Sequence, residues 1–127
     1  MRVGEALPPL VDEITMRRVV MGPGATGDYF PGHWDPPYAR SQGQPTVYAN
    51  SLQLLGLIDR AATGWVGPSA FLVRRAVRLQ LSLYAGDTAT VSGTVDGVED
   101  GLVRLEVAVT NQHGGTVCTA SVTVRLQ

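Results

Sequence analysis

Between residues 46 and 63 apolar side chains recur at helical spacing. Val47, Leu54, Leu55, Leu57, Ile58, Ala61 and Ala62 cover one wide face, while Gln53, Asp59, Arg60 and Thr63 gather opposite. Pro45 stands before the first turn and Gly64 supplies a stop, so the spacing predicts one long helix over 46–63. Asn50 and Ser51 interrupt the apolar face near its N-terminal end. From residue 71 the period drops to two. Phe71, Val73, Val77, Leu79, Leu81 and Leu83 fall on one face of a strand over 71–84, with Arg74, Arg78, Gln80 and Ser82 on the other. Three further strands are predicted over 88–98, 102–112 and 116–126. Turns at Ala85-Gly86-Asp87, Glu99-Asp100-Gly101 and His113-Gly114-Gly115 separate them.

Ahead of the helix the pattern is less regular. A first strand is predicted over 13–20. The stretch 21–45 holds so many Gly and Pro residues that long regular structure is not expected there. The same stretch carries Asp28, Tyr29, Phe30, His33, Trp34, Asp35 and Tyr38. Side chains of this kind, on a loop set on a rigid scaffold, commonly carry function. One apolar helix followed by an antiparallel meander gives an α+β reading: a curved sheet wrapped around a buried central helix.

The 127 residues fit one domain, 1–127, with little room for a second. Net charge is −1, which removes the electrostatic case for nucleic acid or an acidic membrane surface as partner. No run approaches the roughly 18 apolar residues of a membrane span, and the first residues lack a signal-peptide core. The chain is therefore read as soluble and cytoplasmic. Cys118 is the only cysteine, so no disulfide forms within one chain, and its alternating apolar setting suits a buried structural thiol.

Thr26-Gly27-Asp28-Tyr29-Phe30-Pro31-Gly32-His33-Trp34-Asp35-Pro36-Pro37-Tyr38-Ala39 resembles the hydratase motif of the MaoC-like family of hotdog-fold enoyl-CoA hydratases. That motif sets a Gly-Asp before a Pro-x-His and a small residue six positions after the histidine; Gly27-Asp28, Pro31-Gly32-His33 and Ala39 keep the spacing. Pro45-Thr46-Val47-Tyr48-Ala49 stands where the family begins its central helix, and Ala85-Gly86-Asp87-Thr88 resembles its turn between strands. The resemblance covers about residues 20 to 126. It implies a hotdog fold and makes Asp28 and His33 the catalytic pair. Two departures stand out: Phe30 replaces the family's Asn, and Tyr48-Ala49 replaces its His-Gly. Both imply a bulky acyl group, with Phe30, Tyr48, Ala49 and Asn50 as substrate-binding candidates. Within the family the variant is similar to the small chain of actinobacterial steroid side-chain hydratases, in which two different MaoC-like chains pair. A heterodimer or heterotetramer with a second such chain is the implied assembly.

The chemistry fits these residue types. Adding water across a 2-enoyl thioester needs a base for the water and an acid for the α-carbon. A carboxylate and an imidazole on one loop can grip one water, and an imidazole titrates near operating pH. Either residue could take the proton and the other return it. The thioester oxygen needs donors as it becomes enolate-like, and free N–H groups at a helix start, expected around Tyr48 and Ala49, supply them at ~3 kcal/mol of barrier each. No cofactor is required, since coenzyme A arrives as part of the substrate, and no metal set is expected.

Each residue has a plainer reading. Alone, Asp28 suits a turn and His33 a structural hydrogen bond; motif spacing joins them. Asp35 before Pro36-Pro37 reads as a cap or turn residue and stays outside the site. Asn50 needs a buried partner, of which substrate is one. Gly22-Pro23-Gly24-Ala25-Thr26-Gly27 matches a dinucleotide-loop pattern, but Pro31, Pro36 and Pro37 forbid the helix that would have to follow. His113 reads as exposed, and Arg74, Arg75 and Arg78 as solvated rather than bound to coenzyme A phosphates. Two rival functions remain: a hotdog thioesterase, for which the helix offers only Asp59, and a non-catalytic partner subunit.

Overall fold

The computed structural model describes residues 1–126. A five-stranded antiparallel sheet, in the order β1-β3-β4-β5-β2, wraps one long helix. Its strands are β1 (Leu10–Glu13), β2 (Phe71–Leu79), β3 (Thr88–Glu99), β4 (Leu102–Thr110) and β5 (Thr116–Arg125). Helices α1 (Met16–Thr26) and α2 (Pro36–Ser41) precede the central helix α3 (Ser51–Val66), with a 3-10 turn at Pro31–His33 between them. The expected α+β hotdog arrangement is what forms.

Alternation builds the core. Val91 and Val95 of β3, Val103, Leu105, Val107 and Val109 of β4, and Val117, Ala120, Val122 and Val124 of β5 are all buried. They close on Leu54, Leu57, Ile58 and Ala62 of α3. Cys118 is buried as expected, and burial pushes its thiol pKa up. Among the described residues no helix is long and apolar enough to cross a membrane.

Four expectations are corrected. The first strand over 13–20 is not a strand: Thr15 caps a helix at Met16, its hydroxyl accepting from the Arg18 N–H at 3.2 Å. Regular structure does enter the Gly/Pro-rich stretch, because α1 continues through Pro23. Proline lacks the N–H that would serve the Val19 carbonyl, four residues back. The Gln53 amide of α3 supplies donors instead, reaching the Arg18 carbonyl at 2.9 Å and the Val19 carbonyl at 3.4 Å. It lies where Gly22 has no side chain: a Cβ there would sit 1.4 Å from Gln53 Nε2.

The central helix starts and ends later than 46–63. Residues 47–49 run extended beside 83–85, with Ala49 N–H donating to the Leu83 carbonyl and Ala85 N–H to the Val47 carbonyl. Gly64 lies inside the helix, and Gly67 ends it. Lastly, β2 stops at Leu79, where Gln80 and Leu81 N–H both turn to the Val117 carbonyl. A register shift between Leu72 and Arg74 changes which side chains face inward: Leu72 and Val77 pack partly buried against the core, Phe71, Val73 and Leu79 and, beyond the strand, Leu81 are exposed, and Leu83 is buried.

Candidate active site

The end of α1, the 3-10 turn and the start of α3 meet at one place. Gly27 caps α1 in a left-handed conformation, its N–H returning to the Pro23 carbonyl, and hands the chain directly to Asp28. Asp28 forms an Asx turn, with Oδ1 accepting from the Phe30 N–H at 3.3 Å. The 3-10 turn then carries His33 inward, where it is 8% exposed. Its Nδ1 lies 2.7 Å from the Tyr48 carbonyl oxygen. A carbonyl only accepts, so Nδ1 carries the hydrogen and the neutral ring presents an unprotonated Nε2. That Nε2 lies 3.4 Å from Asp28 Oδ2.

Aromatic rings fix the imidazole on both sides. Phe30 meets it edge-on at 5.5 Å between centroids, and Tyr48 at 5.0 Å. Phe30 in turn packs edge-on against Tyr38, and Tyr48 against Tyr84. Burial raises the Tyr48 phenol pKa, with the nearby Tyr38, Tyr84 and Asp28 adding to the effect. Gly32 is required by the crowding: a Cβ there would meet the Phe30 ring at 2.6 Å and the Tyr48 hydroxyl at 2.7 Å.

His33 opens on a cleft of ≈ 280 Å³ lined by Tyr48, Asn50 and Ser51 on its own side and by residues 79–82 on the other, with Asp28 set back behind the imidazole and outside the lining. A larger cavity of ≈ 440 Å³ lies between α1 and α3, lined by Ile14, Met21, Ala25, Leu57 and Leu83 among others. It contains neither Asp28 nor His33, but Ala49 lines both spaces.

Thus the structure brings Asp28, His33, Phe30, Tyr48, Ala49 and Asn50 together. The donors expected at Tyr48 and Ala49 are not free, however. Tyr48 N–H bonds the Gly32 carbonyl at 3.3 Å and Ala49 N–H the Leu83 carbonyl at 2.8 Å. Helix α3 begins beyond them, and its first-turn N–H groups at Ser51 and Leu52 have no partner among the described residues. Asn50 is the N-cap: Oδ1 accepts from Gln53 N–H at 3.1 Å, and Nδ2 points to Thr26 Oγ1 at 3.1 Å and Asp28 Oδ2 at 3.4 Å. The sequence carried this signal, since Asn is a preferred N-cap and Asn50-Ser51 broke the apolar face.

Other candidates fall away from the site. Asp35 stands at the cap position of α2 but makes no side-chain cap bond. The glycines at 22, 24 and 27 belong to α1 and its cap, not to a phosphate loop. His113 is exposed in the turn between β4 and β5, and the described residues contain no metal-binding group of side chains. Asp59 of α3, the one carboxylate a thioesterase reading would need, is tied through Oδ2 to Arg75 and lies outside the cleft beside His33.

A hotdog sheet wraps a central helix, with a carboxylate and an imidazole side by side near the helix start, and the relatives of the chain make it a hydro-lyase. Residues 10–117 match the model of the MaoC like domain, and the chain belongs to that family. It is 37% identical over 125 residues to the 3-oxo-4,17-pregnadiene-20-carboxyl-CoA hydratase beta subunit of Mycobacterium tuberculosis (strain ATCC 25618 / H37Rv), across 98% of this chain and 96% of that one. Among solved structures, a chain of the ChsH1-ChsH2 complex from Mycobacterium tuberculosis superposes with a TM-score of 0.96 at 35% identity, covering 100% of this chain and 99% of that chain. The (R)-hydratase from A. caviae involved in PHA biosynthesis gives 0.93 at 18% identity, covering 100% and 98%, and shows the fold alone.

Proposed function

We propose that the chain is the catalytic subunit of a heteromeric hydratase acting on a bulky, steroid-like 2-enoyl-CoA, with Asp28 and His33 as its acid–base pair. The observation that carries the chemistry is the approach of Asp28 Oδ2 and His33 Nε2 to 3.4 Å, which with a neutral ring sets two acceptors side by side. A water seated against both donates one hydrogen to each and turns its oxygen lone pair to the substrate. Oxygen bonds C3 as one proton passes to the pair, and the electrons of the double bond move into the thioester carbonyl. With the carboxylate ionised and the imidazole neutral, neither group holds a transferable proton before the water reacts. The proton returned to C2 is therefore the one taken from the water, delivered from the same side. The Ser51 N–H, without a partner among the described residues and at the positive end of the α3 dipole, borders this cleft and serves the developing oxyanion.

The bulky acyl group is supported by the relative that is 37% identical, whose name states a steroid enoyl-CoA. The larger cavity beside Ala49 offers apolar room for part of such a group. The partner reading rests on β2, an edge strand whose outer side is unpaired among the described residues and whose Phe71, Val73 and Leu79, with Leu81 just beyond, are exposed. Open apolar edges are normally covered, and here the cleft wall at 79–82 continues from that edge. The test is co-expression with MaoC-like chains from the gene neighbourhood, followed by assay of crotonyl-CoA and a steroid side-chain enoyl-CoA. Loss of enoyl absorbance without release of free thiol, at higher kcat/KM for the steroid and only with the partner, is expected. A preference for crotonyl-CoA, thiol release, or full activity of a lone monomer would each overturn the corresponding part.

A further inference from the structure

We infer that Asn50 is a positioning residue for the acid–base pair: its side-chain amide holds the Asp28 carboxylate against His33 while its oxygen starts helix α3. This rests on the proposed role of Asp28 and His33. Asn50 is 3% exposed, so its amide has no bulk water to turn to and must be satisfied inside. Oδ1 is committed to the Gln53 N–H at 3.1 Å, the ordinary capping bond. That commitment fixes which way the amide faces, because the two ends of a primary amide are opposite in polarity. Nδ2 therefore points to the end of α1, where it meets Thr26 Oγ1 at 3.1 Å and Asp28 Oδ2 at 3.4 Å.

Asp28 needs such a partner. It is the first residue beyond the α1 cap, and its Oδ1 is held by the Phe30 backbone N–H at 3.3 Å. Phe30 has no side-chain donor to add. Oδ2 is the oxygen that faces His33 Nε2, and Asn50 Nδ2 is the neutral donor beside it. With both oxygens held, the carboxylate plane is set rather than free to rotate about its last bond. The 3.4 Å contact is long, as hydrogen bonds at catalytic carboxylates often are before substrate tightens them. Thr26 closes the arrangement, since its hydroxyl also donates to the Gly22 carbonyl at 3.1 Å, so one side chain joins the start of α3 to the end of α1. The titratable side chains around this cluster, besides Asp28 and His33 themselves, are the phenols of Tyr48, Tyr38 and Tyr84.

Two substitutions separate positioning from capping, because Ser and Asp cap helices about as well as Asn. Asn50→Ser keeps a capping oxygen and removes the amide that reaches Asp28. Asn50→Asp keeps size and cap but replaces the donor with a second negative oxygen beside Asp28. Both are to be compared with wild type and Asp28→Asn in the complex with its partner chain. The readouts are kcat and KM over pH, using whichever of crotonyl-CoA and a steroid side-chain enoyl-CoA the wild type hydrates, and the ¹⁵N ring signals of His33 over pH without substrate. The chain has only two histidines, so exposed His113 serves as internal control. Expected for Asn50→Ser is a loss in kcat of about tenfold with KM and melting temperature near wild type, about one lost hydrogen bond to a charged group. For Asn50→Asp, the acid limb of kcat/KM and the His33 ring titration both move upward by about one pH unit, as an added like charge near Asp28 and opposite charge near His33⁺ require. Wild-type kcat, pH profile and His33 titration in both variants, with Asp28→Asn inactive, would reduce Asn50 to a helix cap and overturn the inference alone. An active Asp28→Asn would overturn the acid–base reading beneath it as well.

Discussion

Strands β3 to β5 and the segment from Met16 to Asn50 are held in opposite ways. In the strands the same contact repeats: Val91, Val95, Val103, Leu105, Val107, Val109, Val117, Val122 and Val124 are each buried against the same core. In the segment few apolar side chains are buried, chiefly Val19, Ala39, Val47 and Ala49, and single polar contacts fix its course. Thr15 starts α1, Gln53 repairs it at Pro23, Asn50 joins it to α3, and the Tyr48 carbonyl orients His33. Redundant packing makes a frame that tolerates loss by degrees. Non-redundant contacts make a site, where one atom decides where a reacting group points.

The largest loss of activity is expected at the proposed acid–base pair. Asp28→Asn changes neither size nor the Asx-turn geometry, so activity should fall by roughly two to four orders of magnitude with little change in melting temperature. His33→Ala should lose a similar amount of activity, but it also strips the Tyr48 carbonyl of its 2.7 Å donor and costs about 1–2 kcal/mol of stability. Steady-state hydration and thermal melts on the same preparations check both. Near-native turnover in either variant would remove that residue from the site.

The frame should give the reverse result. Leu105 of β4 is fully buried, and Leu105→Ala deletes core volume that the surrounding valines cannot refill, costing about 2–5 kcal/mol. Denaturant melts should show that loss, while kcat of the surviving folded protein stays within a few-fold of wild type. A large fall in kcat at full folding would mean that the sheet is not a passive frame.

This division also explains what could be read in advance. Period-two alternation and short turns located β3, β4 and β5 within one or two residues, because each strand's burial is written locally in its own side chains. The site motif fixed Asp28 and His33, and the structure sets them side by side. What failed depends on contacts distant in sequence. α1 runs through a proline because Gln53, thirty-odd residues later, supplies the missing donor. The late start of α3 follows from pairing of residues 47–49 with 83–85, which no local window contains. The outward turn of Phe71 and Val73, with Leu72 facing in, accompanies a register irregularity at Leu72–Arg74 against β5.

At Gly32 core-like packing and site geometry meet in one residue. Gly32→Ala adds one methyl group between the Phe30 ring and the Tyr48 hydroxyl, which would lie 2.6 and 2.7 Å away. Phe30 is partly exposed and can swing outward, so the stability cost should be near the low end of overpacking, about 1 kcal/mol. Both rings flank His33, so kcat should fall about tenfold from misalignment, as small displacements at a reacting centre cost. Melts and kinetics on one preparation decide it; equal small losses in both would make Gly32 a packing residue only.

The smallest effect is expected at the clip that fastens the segment to the frame. Asp12 of β1 accepts from Arg18 of α1 through Oδ1 and from Arg60 of α3 through Oδ2, the latter at 3.1 Å. The hydrogen bond from Arg18 holds its carboxyl below the ordinary carboxylate range; burial opposes this, and the charges of Arg18 and Arg60 assist. A depressed pKa means that the folded state binds its proton less readily than the unfolded chain. The stabilisation is therefore present above the ordinary carboxylate value, near 3.9, and fades as pH falls through the lower folded value. Both arginines are about half exposed, at 45% and 55% of the side chain, so solvent screens the pairs and their worth is about 0.2–1 kcal/mol. Asp12→Asn should lower stability by that amount at pH 7 and in low salt. The gap from wild type should narrow as pH drops below 4, and also in 1 M salt, where exposed pairs are screened. Because Arg18 and Arg60 also border the cavity between α1 and α3, kcat/KM for a bulky enoyl-CoA should change slightly while that for crotonyl-CoA stays constant. Urea melts of both proteins at pH 7 and pH 3 supply the check. A gap that widens on acidification would reverse the sign of the linkage and remove Asp12 as the fastening point.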